Sequence, residues 1–345
     1  MRAAILRNGS MVVDDVADPV PGLGQILVRT LACGICGSDL HFAQHGQAVV
    51  DLTAQAGLVD EVVSGPVLDL SRDVIMGHEF SAEVLEVGPD TIGPEPGAVV
   101  VSMPVMLTDT GVSPTAYSNE YPGGFAERML LSAPLVLEVP NGCSPRRAAM
   151  TEPTAVGLHA VAKSGIAAGQ SALVVGCGPV GLAVISALKL AGVEVIVASD
   201  LSPRRRDLAL LMGAGVVVDP VVEPAMDAWR RADGVLPLVI FEAVGIPGML
   251  QSIMRDAPRS SLIVVVGVCM QPDSFQPFFG TAKELSLQFV LAYDPMEFAR
   301  ALRVIAEGAI DVDPLITGSV GIEGVPGAFE DLANPEAHAK IVVEP

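Results

Sequence analysis

The sequence predicts an α/β chain in which a doubly wound parallel sheet is joined to a second, β-rich domain. Three observations carry that expectation. After about Glu152, apolar runs of strand length alternate with helical segments, the pattern of parallel strands linked by crossover helices. Before about Pro140 the apolar runs are short and punctuated by Gly and Pro, as in a β domain of tight turns. A chain of 345 residues also exceeds what one ordinary hydrophobic core organises.

In chain order, residues 26–31, 82–87, 98–103 and 135–139 read as strands of the β-rich part. Residues 44–71 mix short periodicities and read as an irregular inserted lobe. Further on, strands are expected at 173–175, 195–198, 216–218, 238–241, 262–266 and 285–291, with helices at 180–191 and 203–212. The tail holds a helix at 295–307 and a closing strand at 340–343. The uncharged run 171–188 is long enough to span a membrane, but its turn glycines interrupt any continuous helix. The expected division is 1–154 with 292–345 as one domain and 155–291 as the other.

Charge and cysteines narrow the function classes. Twenty basic residues against 40 acidic ones give a formal charge of −20, which argues against nucleic acid or an anionic membrane as a partner. Any anionic ligand must be held by local features such as a helix N-terminus. Five thinly spread cysteines (Cys33, Cys36, Cys143, Cys177 and Cys269) form no disulfide framework and suit a reducing cytoplasm. Residues 1–10 lack the apolar stretch of a signal peptide.

Gly176, Gly178 and Gly181, with Pro179 and Val180 between them, follow one expected strand and open a helix. That context makes the spacing a dinucleotide site: a tight turn, close approach of pyrophosphate to backbone, and close packing of helix on strand. Asp200 ends the next strand about 20 residues on, where a carboxylate accepts from the adenosine ribose and repels a 2′-phosphate. NAD is therefore expected over NADP. Arg204, Arg205 and Arg206 read as a solvated helix start, a stack on adenine, or a phosphate clamp that would favour NADP.

The stretch from Cys33 to His41 (Cys-Gly-Ile-Cys-Gly-Ser-Asp-Leu-His), answered by Gly77-His78-Glu79, supplies thiolate, imidazole and carboxylate, the donors a zinc ion takes. Ser38 and His41 add groups able to pass a proton beside the metal. Zinc lowers the pKa of bound water from about 16 to about 7, and a comparable effect on an alcohol is worth on the order of 12 kcal/mol. With the glycine turn, this points to metal-assisted hydride transfer to a nicotinamide cofactor. His45 and His338 read as surface residues and His159 as a satisfied core or interface histidine.

Cys36-Gly-Ser-Asp-Leu-His41, Gly77-His78-Glu79-Phe80, Gly123-Gly124-Phe125-Ala126-Glu127, Thr151-Glu152-Pro153 and the turn Gly176 to Gly181 occur in an order that resembles the zinc-dependent medium-chain alcohol dehydrogenases. The resemblance spans nearly the whole chain and leans to the sorbitol and butanediol dehydrogenase-like branch. It implies a GroES-like catalytic domain beside a Rossmann domain. It makes Cys36 and His78 zinc ligands, with Glu152 in the third position and Glu79 either a ligand or a nearby charge. Asp39 is implied to orient the histidine ligand, and Ser38 and His41 to relay the alcohol proton through the cofactor ribose. Arg205, Val244 and Val268 are expected along the cofactor. A homodimer or homotetramer, formed through the edge strand at 285–291, follows from the same resemblance.

The chain also departs from that family. No cysteine lies between Gly97 and Phe125, so a second, structural zinc is not expected. Cys36 and His78 are further apart than usual, and the extra segment around 45–72 is expected to form a lid or wall of the substrate channel. Candidate wall residues are Phe42, Met103, Met106, Phe125, Val268 and Met270, whose apolar character favours a hydrophobic, cyclic or secondary alcohol over a polyol. Two other readings stand against this one. A zinc-free quinone or enone reductase has no need of Cys36, His78 and Glu152, and a non-catalytic NAD-binding protein has no need of Ser38 and His41.

Overall fold

The computed structural model describes residues 1–57, 68–232 and 237–345. Six parallel strands form one sheet in the order Val216–Val218, Val195–Ser199, Ser171–Val175, Leu238–Glu242, Leu262–Val265, Ser286–Phe289. The order reverses at Ser171–Val175, and the crevice beyond its C-terminal end is where such sheets bind ligands. Helices Pro179–Leu190 and Pro203–Met212 are among the crossovers. The segment 171–188 is thus a strand, a turn and a helix. Among the described residues no helix is long and apolar enough to cross a membrane.

A second sheet runs Ile316–Val320, Lys340–Val343, Gln25–Gly34, Glu79–Val87, Val99–Ser102, Val136–Glu138, with Arg128–Ser132 also paired to Gln25–Gly34. The chain's last strand, Lys340–Val343, therefore sits beside one of its first. Val342 pairs with Gly34 and Val343 with Cys33, which brings Lys340 close to the start of the cysteine segment. Short hairpins at Arg2–Arg7 with Ser10–Asp15, and Val105–Thr108 with Gly111–Pro114, were not expected from the sequence. Their residues alternate weakly, and several pairs are only partly buried.

The largest departure from expectation lies at 44–71. Helix Gly37–Gln55 continues through most of its described part, with a break in helical geometry at His45. Asp39 starts the helix by accepting at Oδ2 from the amide of Cys36 (2.9 Å). The break at His45 resets the apolar face, which explains why one helical period does not run through the sequence. Residues 58–67 of the expected lobe lie outside the described residues.

Candidate active site

One cavity of about 850 Å³ runs between the two sheets, and its two ends are built differently. At the sheet-switch end, Gly178 caps helix Pro179–Leu190 and lines the cavity with Pro179, Val180, Val244 and Val268. Gly176 and Gly181 shape the turn beneath: a Cβ on Gly181 would lie 2.0 Å from the Gly176 carbonyl oxygen. Asp200 accepts at Oδ2 from the Cys177 amide (2.7 Å) and at Oδ1 from Ser202 (2.8 Å), so the carboxylate is fixed at the rim of the turn. Arg206 donates to the carbonyls of Asp200 and Leu201 and pairs with Asp219, while Arg204 reaches the Glu336 carbonyl. Arg205 Nε is buried and makes no hydrogen bond among the described residues.

At the other end, Cys36 precedes helix Gly37–Gln55 and His78 precedes strand Glu79–Val87. His78 is aimed by the backbone before it. Gly77 has φ +98°, and a Cβ there would lie 2.6 Å from the Phe125 ring. The amides of Gly123, Gly124 and Phe125 donate to the carbonyls of Ile75, Gly77 and Met76, so the Gly-Gly-Phe motif clamps the approach to His78. Cys33 packs under this clamp, buried, its thiol pushed up by burial, which is a structural role.

Donor atoms of Cys36, His78 and Glu79 lie within 4.8 Å of one another. Asp39, fully buried, sits 3.3 Å from His78 Nδ1. Burial alone would raise Asp39, but the His78 charge and hydrogen bonds from His78, Cys36 and Tyr117 hold it below the usual carboxylate range. Thiolate, imidazole and carboxylate converging in a buried pocket fit a zinc ion.

Glu152, expected as the third donor, lines the same cavity from the first turn of helix Thr151–Ser164 but lies outside this compact group. It makes no ion pair among the described residues. Burial pushes its carboxyl up to about 7 against the opposing pull of His78, and it accepts a hydrogen bond from Tyr293. Glu79 differs: Lys340 Nζ contacts both its oxygens at 2.6 and 2.7 Å, each side chain being 1% exposed. Gly157 fixes the helix of Glu152 against the cofactor-end helix, since a Cβ there would lie 2.5 Å from the Ala183 backbone.

Ser38 and His41 both line the cavity, as do Phe42, Val268 and Met270. Three expected wall residues do not. Met103 is packed against the core of the parallel-sheet half, Met106 is fully buried against Ser132, and Phe125 is fully buried edge-on to Phe329. Their places are taken by Val49, Val50, Leu52 and Thr53 of helix Gly37–Gln55 and by Leu68, which makes the described flanks of the 45–72 segment a cavity wall. His159 is a satisfied interface histidine, its Nδ1 2.7 Å from Glu297 Oε2. His338 is not a free surface residue but is partly buried, its Nδ1 3.1 Å from the Thr317 carbonyl.

Sequence reasoning missed Lys340, Tyr293 and Tyr117. Tyr117 lines the cavity and donates to Asp39 Oδ1 (2.7 Å), with Ser38 Oγ 3.1 Å from its hydroxyl. An isolated lysine or tyrosine carries no local pattern. The one available signal was that Lys340 is the only charge opening the closing strand Lys340–Val343.

Comparison with known proteins agrees with this geometry. The model of the alcohol dehydrogenase GroES-like domain matches residues 22–141, and that of zinc-binding dehydrogenases matches 179–307. The chain is 30% identical to (R,R)-butanediol dehydrogenase of Bacillus subtilis over the full length of both chains. It is 28% identical to sorbitol dehydrogenase of Bos taurus, over 96% of this chain and 94% of that one. The crystal structure of a putative zinc-binding dehydrogenase from Sinorhizobium meliloti bound to NADP superposes with a TM-score of 0.82 at 28% identity, covering 100% and 99% of the two chains.

Proposed function

This chain belongs to the zinc-type medium-chain alcohol dehydrogenases, and from that premise we propose that it oxidises a hydrophobic secondary alcohol with NAD. The observation that carries the substrate reading is the wall opposite the metal-ligand group: Phe42, Val49, Val50, Leu52, Leu68 and Met270 are apolar. Three of the polar side chains beside them are already engaged. Asn119 exchanges hydrogen bonds with the backbone of Asp69, Ser118 Oγ accepts from the amides of Glu120 and Tyr121, and Glu120 pairs with Arg72. A polyol entering here would leave hydroxyls unpaired, at a cost of about 1–3 kcal/mol each.

Cys36, His78 and Glu152 are the proposed zinc ligands. Glu79 is paired directly with Lys340, whereas Glu152 has no such contact, is held up by burial, and gains most from a cation. When bound, zinc lowers the pKa of an alcohol presented at this end of the cavity. Asp39 holds the His78 ring in the orientation that leaves its other nitrogen for the metal. Ser38 would take the proton leaving the alcohol while giving up its own, and His41, exposed and lining the same cavity, would carry that released proton to solvent. The N-terminus of helix Pro179–Leu190, capped by Gly178, would hold the pyrophosphate of NAD, which would supply the hydride acceptor. Asp200 supports NAD over NADP, and Arg205 Nε is the donor left for the cofactor once Arg204 and Arg206 are engaged by the protein.

Strand Ser286–Phe289 is a sheet edge with Phe289 and Leu291 exposed, which supports assembly of the chain as a homodimer through that edge. All five cysteines are free, which supports a reducing, cytoplasmic setting. The substrate reading is tested by kcat/KM over a panel running from cyclohexanol to butanediol and sorbitol. Cyclohexanol should be preferred by at least about tenfold, and replacing residues 49–68 with a short Gly-Ser linker should erase the preference. A sorbitol preference in the native protein contradicts it.

A further inference from the structure

The chain spends backbone strain on presenting Tyr117. Ala116, fully buried, has φ +82°, a conformation that L side chains rarely adopt. Gly123 accommodates it, since a Cβ there would lie 2.6 Å from the Ala116 Cβ. The turn that follows is tied down by Ser118 Oγ, which accepts two backbone amides, and by Asn119, which grips the chain at Asp69. The Tyr117 ring then rests against Phe42 and His78, with centroids 5.0 and 5.5 Å away.

The hydroxyl at the end of this construction has one proton and two close oxygen partners, Asp39 Oδ1 at 2.7 Å and Ser38 Oγ at 3.1 Å. An ionised carboxylate only accepts, so the tyrosine proton goes to Asp39. The tyrosine oxygen is then left to accept, and the Ser38 hydroxyl donates to it. With its own proton turned toward Tyr117, Ser38 presents only lone pairs to the cavity it lines.

We propose that Tyr117 is a positioning residue that fixes the direction of the Ser38 hydroxyl, so that Ser38 meets the substrate alcohol as an acceptor. The inference rests on the dehydrogenase reading above for the identity of the substrate but not for the hydrogen-bond order. It ties the cavity wall to the proton path as well, because Asn119 in the same turn holds the backbone of Asp69 beside the wall residue Leu68.

Tyr117→Phe keeps the ring and removes the hydroxyl. It should lower kcat for alcohol oxidation about tenfold while KM for NAD and zinc content stay within twofold. In a Ser38→Ala background the same change should have no further effect, as a double-mutant cycle reads a shared path. A turnover-free readout accompanies it: the dissociation constant of trifluoroethanol, an alcohol that resists oxidation, from the NAD-loaded protein should rise about fivefold or more in Tyr117→Phe. An unchanged constant overturns the proposal, and so does a full tenfold loss persisting in Ser38→Ala or a loss that tracks zinc content. If the native protein forms no NADH from any alcohol while trifluoroethanol binding still responds to Tyr117→Phe, the dehydrogenase reading falls and the hydroxyl assignment stands.

Discussion

The two ends of the cavity solve the same problem with different materials. The cofactor end is made of backbone, a turn whose glycines sit within six consecutive residues and which opens helix Pro179–Leu190. The metal end is made of side chains from segments as far apart as Cys36, His78, Tyr117, Glu152, Tyr293 and Lys340. A backbone-built site tolerates the loss of one side chain. A site of converging buried charges does not, because each group removed leaves a partner unpaired in a medium that cannot solvate it.

That contrast can be broken at either end. The largest effect is expected at Lys340. Lys340→Met leaves Glu79 buried without its counter-charge and should cost about 3–5 kcal/mol in equilibrium unfolding of the metal-free protein. A cost under about 1 kcal/mol would mean that the pair contributes nothing the fold needs. At the cofactor end the expected loss is smaller. Asp200→Ala removes hydrogen bonds to a charged group and should raise KM for NAD about tenfold or somewhat more, with zinc content little changed and the unfolding midpoint lowered modestly by the loss of the Cys177 and Ser202 amide contacts. The smallest effect belongs to Cys177. Burial, with Asp200 nearby, pushes its thiol up to about 12, so the reactive thiolate is scarce at pH 8. Alkylation at that pH should label exposed Cys269 and spare Cys177 in the folded protein; equal labelling rates would show that the turn is far more open than described.

The same contrast explains what was legible in the sequence. The six parallel strands and the glycine turn were readable because buried strands are continuous apolar runs and the turn's requirements fall on neighbours in sequence. Cys36, His78, Asp39 and Ser38 were readable as donor types, and all four gather at one end of the cavity or pack directly behind it. Lys340 and Tyr117 were not, since each acquires its meaning from a contact across 261 or 78 residues of chain. Met106 and Phe125 failed as wall residues for the opposite reason: an apolar residue near a motif looks the same whether it faces a ligand or the core. The helix Gly37–Gln55 was hidden by its break at His45, which divides one amphipathic pattern into two short ones.

The central claim is that Cys36 and His78 hold a zinc ion without which the chain does not oxidise alcohols. Metal analysis of the purified protein, with NAD reduction followed before and after chelation and zinc restoration, tests it most directly. The account predicts about one zinc per chain, turnover lost with the metal and regained with it, and neither metal nor turnover in Cys36→Ala. A metal-free preparation that reduces NAD at an undiminished rate would contradict it.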